Sequence, residues 1–501
     1  MLFHDPVFVF GFLPAVVIGY GLVRRFLGRE PGFVFLGLAS LSFYGSHDVR
    51  LAALLVGSIT MNFTCGEALG RLPHGRAAAR ALLGLGILAN LALLGYFKYS
   101  NFFIGNLREL GFGYDYVDLI FPVGLSFYSF VQIGYLVDVY AGLARRQPFA
   151  RYFLFGAFFP YVTAGPLVLQ REILPQYDAR GSAFPNAVVL AAGVSIFVMG
   201  LFKKLVLADN VAPFANGVFA VAADGGALAP GAAWTGALAY TLQLYFDFSA
   251  YSDMAIGLGA LLGFKLPPNF NSPLKACSLI EFWRRWHITM SRFFTNYVYM
   301  PLAVGGSRRF MDASPWTRFG ATIGGPVFVT FLVAGIWHGA GWTFVVFGLL
   351  HGAGLVANHA WAHSGMSSPP RTLGWLLTLL LVVVSLVFFR AESISSALAV
   401  LQGMTGLTSS VADAQLPVVA DPIRAWTWIV ALAGLALVAP NTLQIMRRCD
   451  LLTERVASEP ASWWARLVWQ PNVLWALACG ITLVVSILSV SGESPFLYYR
   501  F

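Results

Sequence analysis

The chain has 501 residues, 58% of them apolar and only 11% charged, against roughly 25% charged in an ordinary soluble domain. That deficit, with 51 Gly, 43 Phe and 14 Trp and a mean hydropathy of +0.70, excludes an ordinary cytosolic enzyme and predicts a surface that faces lipid. The net charge of +9 then marks cytoplasmic loops and an anion site rather than nucleic-acid binding, because no basic run carries interleaved aromatics.

In chain order, Asp5 precedes the apolar run Val7 to Val23 and Arg24, Arg25 and Arg29 follow it. This polarity is the reverse of a signal peptide and predicts a permanent first span, with Met1 on the outer face. Ala81 to Phe97, Leu373 to Phe389 and Val473 to Val490 are further runs without Asp, Glu, Lys or Arg. Less pure candidates lie near 33–45, 51–69, 119–140, 150–168, 187–207, 231–264, 320–336, 342–358 and 425–439. The expected fold is all-α and polytopic, with about ten to thirteen transmembrane or re-entrant helices around a buried reaction chamber; segments too short to cross alone must break inside protein. Arg24 and Arg25, then Arg71, Arg76 and Arg80, then Arg145 and Arg146 recur at intervals that fit one common, cytoplasmic side. Residues Lys265 to Arg318 read as a folded lobe rich in cations and aromatics. Thr405 to Arg424 reads as an extramembrane connection before the last spans. No fixed-period repeat is evident, which weighs against an inverted-repeat transporter.

Ionisable residues inside apolar sequence are expensive and mark functional candidates. His338 lies in FLVAGIWHGAGWTFVVF with Gly335, Gly339 and Gly341 close by. It reads either as a histidine packing two helices or as a general base, since a buried neutral imidazole is ready to accept a proton from a hydroxyl. His287 lies in EFWRRWHITMSRFF (Glu281 to Phe294), where one continuous helix would place Trp283, Arg284 and Ser291 on the His287 face. That face is either an interfacial stripe or a wall for an anionic ligand. Asp138, Asp247 and Asp253 are also embedded; the i, i+6 spacing of the last two does not share a helix face, so structural pairing with Arg is expected rather than a catalytic carboxylate pair. His351 reads as packing or support for the site. His4, His47, His74, His359 and His363 read as interfacial. Cys65, Cys277, Cys449 and Cys479 lie far apart, so neither a disulfide framework nor a zinc cluster is expected, and no metal is predicted. A Walker loop, a G-x-S-x-G elbow and an H-E-x-x-H motif are all lacking.

Five blocks, FPVGLSFYSFVQIGYLVDVY (Phe121 to Tyr140), FFPYVTAGP (Phe158 to Pro166), LYFDFSAYSDMAIG (Leu244 to Gly257), NFNSPLKACSLIEFWRRWHITMSRF (Asn269 to Phe293) and GIWHGAGWTFVVFGLLHG (Gly335 to Gly352), together resemble the membrane-bound O-acyltransferase superfamily. Their order resembles most its branch of integral-membrane subunits in bacterial alginate O-acetylation, over about residues 5 to 390. The resemblance implies acetyl transfer from cytoplasmic acetyl-CoA to an acceptor outside the inner membrane. It implies His338 as the essential histidine and His287 as the second one. Tyr161 stands where many relatives carry histidine, and MPLAVGGSRRF (Met300 to Phe310) loosens the usual run, so no coenzyme contact is assigned to Arg308 or Arg309. Arg284, Arg285, Lys275 and Arg292, with Trp283, are the expected donor-binding residues, since guanidinium suits phosphate geometry. Cys277 is the one thiol inside a matching block. The expected partners are a periplasmic esterase-like acetyltransferase, a polysaccharide-synthesis complex and membrane lipid, with no nucleic acid. Alginate, cellulose, another exopolysaccharide and peptidoglycan all remain as acceptors. Two rivals stand beside this reading: a polytopic transporter using the histidines as a proton path, and an acyltransferase that takes D-alanine from a carrier protein.

Overall fold

The structure is a computed structural model that describes residues 1–46, 48–73, 75–178, 184–407, 421–453, 467–490 and 496–497. Regular structure among these residues is helical, apart from one isolated bridge between Leu266 and Leu452. The first half of the chain forms α1 (Phe8–Leu27), α2 (Arg29–Gly45), α3 (Val49–Leu69), α4 (Ala77–Glu109), α5 (Leu125–Tyr140), α6 (Phe149–Ala157), α7 (Gln170–Asp178), α8 (Ala187–Ala223) and α9 (Pro230–Leu261). The second half forms α10 (Leu279–Arg285), α11 (Ile288–Phe294), α12 (Met300–Arg309), α13 (Pro315–His338), α14 (Trp342–His363), α15 (Arg371–Arg390), α16 (Ile394–Thr405), α17 (Pro422–Val438) and α18 (Val473–Leu488). Among the described residues seven of these, α1, α3, α4, α8, α13, α14 and α15, are long and apolar enough to cross a bilayer, and α16, α17 and α18 are shorter apolar helices. The chain is a multi-pass membrane protein. His47, His74 and residues 408–420 of the expected extramembrane connection lie outside the described residues.

Local chemistry sets the helix ends. Side chains of Asp48, Asn186, Ser278, Asp421 and Asn472 accept from backbone N–H groups of the first turns of α3, α8, α10, α17 and α18, the usual device for satisfying orphan donors. Four of the long helices contain a π turn, at Phe8–Phe12, Gly95–Tyr99, Lys203–Ala208 and Gly320–Gly324; such turns are uncommon and frequent at functional sites.

The basic clusters share one end of the molecule. Arg71 and Arg146 both reach Glu67, at 3.7 and 3.6 Å. Arg151 joins Glu30 at the start of α2 to Asp178 at the end of α7, each at 2.6 Å. Arg29 donates to the carbonyl of Tyr177.

Two expected spans are shorter than their apolar runs. Within 119–140 the helix starts only at Leu125, after Gly124 in the left-handed region (φ 77), where a Cβ would lie 2.4 Å from the Val162 carbonyl oxygen. Within 150–168 the helix stops at Ala157, yet the irregular segment from Phe158 to Leu169 stays buried. Its backbone groups find partners inside the protein: Phe159 N donates to Ser40 Oγ (3.1 Å) and Leu167 N to Thr289 Oγ1 (2.9 Å). Irregular backbone at this depth survives only under such cover.

The embedded acids pair, but not with arginine as expected. The π turn of α8 carries Lys203 and Lys204 toward α9, where Lys203 meets Asp253 (2.6 Å) and Lys204 meets Asp247 (2.8 Å) as well as Asp209 (2.9 Å). Asp138 instead accepts from the Tyr297 hydroxyl (2.9 Å).

Candidate active site around His338

α13 stops at His338, because Gly339 turns to extended backbone (φ −164, ψ 156). His338 is 4% exposed, its ring packed edge-on against Trp337, Phe347 and Phe389 at centroid distances of 4.9, 5.7 and 5.1 Å. Glycines make this position: a Cβ on Gly335 would lie 2.5 Å from the Phe344 carbonyl oxygen and 2.8 Å from Gly348 Cα, so α13 and α14 pack backbone to backbone.

His287 is fully buried beside it, with Trp337 between: the Trp337 ring centroid is 6.4 Å from His287 and 4.9 Å from His338. Here the structure departs from the expected helix over Glu281–Phe294. The chain breaks after Arg285, with Trp286 extended and His287 in the left-handed region (φ 42). The cause is Asn269, which lies far upstream in sequence. Its carbonyl oxygen accepts from Ile288 N (3.0 Å), and its side-chain oxygen lies 3.1 Å from His287 Nδ1 and accepts from Thr289 Oγ1 (3.0 Å). The break turns His287 inward, against Phe248 at 4.7 Å, while Trp283, Arg284 and Ser291 face elsewhere.

They face a cavity of about 500 Å³, within the range of small-molecule sites, walled by α10, α11, α13 and α14. Trp283, Arg284 and Arg292 line it, with Ser291 and His359. Along α13 its wall runs from Val327 to Ala334, about 10 Å at the helical rise. Arg292 is held by Glu172 in a two-point ion pair (2.6 and 3.0 Å), and Glu172 lies on α7 with Asp178, which places this cavity toward the basic end. A second cavity of about 480 Å³ lies past the end of α13, lined by Lys98, Gly339, Thr343, Phe389, Arg390 and Glu392 among others. Lys98 is some 30 Å along α4 from Ala77 at the helical rise, away from the basic end. Ala334 lines the first cavity and Gly339 the second, so the last turn of α13, which carries His338, separates the two, while His338 itself is in the lining of neither.

The remaining expected residues are placed apart. Arg285 pairs with Glu281 (2.8 Å) and donates to the Asn271 carbonyl oxygen (3.3 Å). Lys275 donates to the Ala439 carbonyl oxygen (3.0 Å), just past α17. Cys277 N donates to Glu281 (2.8 Å), so this thiol belongs to the start of α10. Tyr161 is buried and donates to the Phe155 carbonyl oxygen (2.7 Å). His351 is a bridge: the Trp283 indole donates to its Nδ1 (3.2 Å), which leaves Nε2–H to donate to Ser385 Oγ (2.8 Å).

Lys98 is the residue that sequence reasoning passed over. It is the first cation after the uncharged run Ala81 to Phe97, and it lies inside the long helix α4 rather than at its end. An ammonium at such a depth must find oxygen partners in the protein. Among the described residues no histidine, cysteine and carboxylate group is arranged to hold a metal ion.

Residues 137–401 match the family described as MBOAT, membrane-bound O-acyltransferase. The chain is 40% identical over 438 residues to the peptidoglycan O-acetyltransferase of Helicobacter pylori, covering 81% of this chain and 80% of that one. It is 34% identical to the probable alginate O-acetylase AlgI of Pseudomonas aeruginosa, over the full length of both. A teichoic acid D-alanyltransferase of Streptococcus thermophilus is 26% identical over 244 residues, which cover 48% of this chain and 57% of that one.

Proposed function

The chain belongs to the membrane-bound O-acyltransferase family and is an acyltransferase enzyme, and on that premise we propose that it carries acetyl from cytoplasmic acetyl-CoA to hydroxyls of a cell-surface glycan across the bacterial inner membrane. The observation that carries this reading is that His338 sits in the helix turn between Ala334, which lines one cavity, and Gly339, which lines the other. The cavity at the basic end takes the donor: its walls from Val327 to Ala334 suit a pantetheine arm and the guanidinium of Arg284 suits a phosphate, whereas Arg292 is engaged by Glu172. The positive-inside rule puts that end in the cytoplasm and Met1 in the periplasm. The second cavity then receives the acceptor.

In the reaction His338 takes the proton of the acceptor hydroxyl as its oxygen bonds to the thioester carbonyl carbon. The carbon–sulfur bond then breaks and the coenzyme leaves as thiolate, which takes the proton back from His338. The surrounding Trp337, Phe347 and Phe389 rings exclude water, which would otherwise compete for the acetyl group. His287, fixed by Asn269, sets the Trp337 side of the chamber. The final acceptor is alginate-like exopolysaccharide or peptidoglycan, and the hydroxyl that reacts at His338 belongs either to that polymer directly or to a periplasmic esterase-like acetyltransferase that passes the acetyl group on to it with the polymer-synthesis complex. The names of the two full or near-full-length relatives support both acceptors.

The test is His338→Ala in a strain lacking the chromosomal copy. Glycan acetylation is expected to fall at least about 100-fold with membrane abundance unchanged; acetylation at the wild-type level would remove the assignment. A second reading, transfer of D-alanine from a carrier-protein thioester, is favoured by the D-alanyltransferase relative. Donor profiling separates the two, because turnover with the carrier thioester but not with acetyl-CoA would establish the second.

A further inference from the structure

Termination of α13 at His338 leaves its last carbonyls without the N–H groups that a further turn would supply. Three consecutive ones are met by two consecutive residues of α4. Tyr99 Oη donates to the Ile336 carbonyl oxygen (2.6 Å), and Lys98 Nζ donates to those of Trp337 (2.7 Å) and His338 (2.9 Å). Lys98 also contacts Ser126 Oγ at 3.3 Å, and its ammonium lies 6.0 Å from the Trp337 ring centroid. Both residues belong to the π turn Gly95–Tyr99.

Lys98 takes no carboxylate partner among the described residues, and an ammonium held inside a membrane helix by neutral oxygens only, two carbonyls and the Ser126 hydroxyl, is costly. A helix end could be satisfied more cheaply by neutral donors, as Tyr99 satisfies Ile336. The compact group with three donors is instead placed where it bridges the two residues that carry the imidazole and its neighbouring indole, on the wall of the second cavity. We propose that Lys98 is a positioning residue for the transfer reaction, holding the main chain of Trp337 and His338 so that the imidazole stays in the partition between the donor and acceptor cavities. This rests on the assignment of His338 as the base. The proposal requires Lys98 to act on turnover through geometry, since displacement of a reacting group by about 1 Å costs on the order of 100-fold.

The experiment uses membranes of the producing strain, which supply the native acceptor, with labelled acetyl-CoA titrated against wild-type, Lys98→Met, Lys98→Gln, Tyr99→Phe and His338→Ala full-length proteins, each normalised to its membrane content. Lys98→Met is expected to lower turnover about 100-fold while the KM for acetyl-CoA stays within about twofold. Tyr99→Phe, which frees only the Ile336 carbonyl, is expected to keep turnover within about threefold. Wild-type turnover in Lys98→Met overturns the proposal, as does a KM that rises in step with the loss, or an equal loss in Tyr99→Phe, which would make the contact an ordinary helix cap. Should Lys98→Met fail to reach the membrane, Lys98→Gln, which retains a neutral donor, is read by the same criteria. His338→Ala separates the layers: inactive His338→Ala with normal Lys98→Met removes only the lysine inference, whereas active His338→Ala removes the base assignment and the lysine inference with it.

Discussion

Two lysines in π turns of this protein, one buried and one half-buried, are held in opposite ways. Lys204, in the π turn of α8, sits between the carboxylates of Asp247 and Asp209 at 2.8 and 2.9 Å, and its charge is answered on the spot. Lys98, in the π turn of α4, touches two carbonyls and a hydroxyl and borders a cavity. The first arrangement cements α8 to α9 and the second fixes the end of the helix that bears His338. An ammonium whose charge is balanced locally belongs to the scaffold, and one held only by dipoles beside an opening belongs to the site.

Substitutions probe that division, beginning with the largest effect. Lys204→Met takes from the buried Asp247 and the half-buried Asp209 the cation they share, and such a break costs about 3–5 kcal/mol; the yield of folded, monodisperse protein and its Tm should fall accordingly, and an unchanged Tm would contradict the structural role. Asp253→Asn keeps the side-chain contact to Thr442 (2.7 Å) but removes the charge that answers Lys203. A smaller loss, about 1–3 kcal/mol, is expected from the same thermal measurement. On the donor side, Arg284→Ala should raise the KM for acetyl-CoA about tenfold, the scale of one charge-assisted hydrogen bond, whereas Arg285→Ala should leave it within about twofold, because Arg285 is spent on Glu281. Equal shifts in both would merge the two arginines into one function. Ser385→Ala removes the acceptor of His351 and should cost about 1 kcal/mol in thermal stability with turnover unchanged, which would set His351 with the scaffold and apart from His338.

Much of the fold is legible in the sequence because lipid imposes a simple rule. Runs free of charge, such as Val7 to Val23 and Leu373 to Phe389, became α1 and α15, and Arg71 and Arg146, from two of the recurring basic clusters, meet at Glu67. The site is less legible, because it depends on partners far apart in the chain. Helical spacing over Glu281–Phe294 predicts one face for His287 and Arg284, but Asn269 captures Ile288 N and the chain splits. The same residue types then serve two compartments, Arg284 on one cavity wall and His287 inside the chamber. The acids likewise attract the expected cations of the wrong kind: nothing in LYFDFSAYSDMAIG tells Lys from Arg as a partner, and the choice follows from the π turn at Lys203–Ala208. Lys98 escaped notice because it follows an uncharged run and so looks like the polar end of a span, although the helix continues to Glu109.

The near-contact of Gly335 with Gly348 has a bearing on how a bulky glycan could reach the imidazole. Where two main chains touch there is no slack to open a seam, so α13 and α14 must move as one plate. Across from that seam α4 is fastened to the plate by polar links, Lys98 and Tyr99 to the end of α13 and Asn106 to the Trp342 indole of α14 (2.9 Å), so an acceptor of the proposed reaction would have to enter past hydrogen bonds rather than between packed main chains.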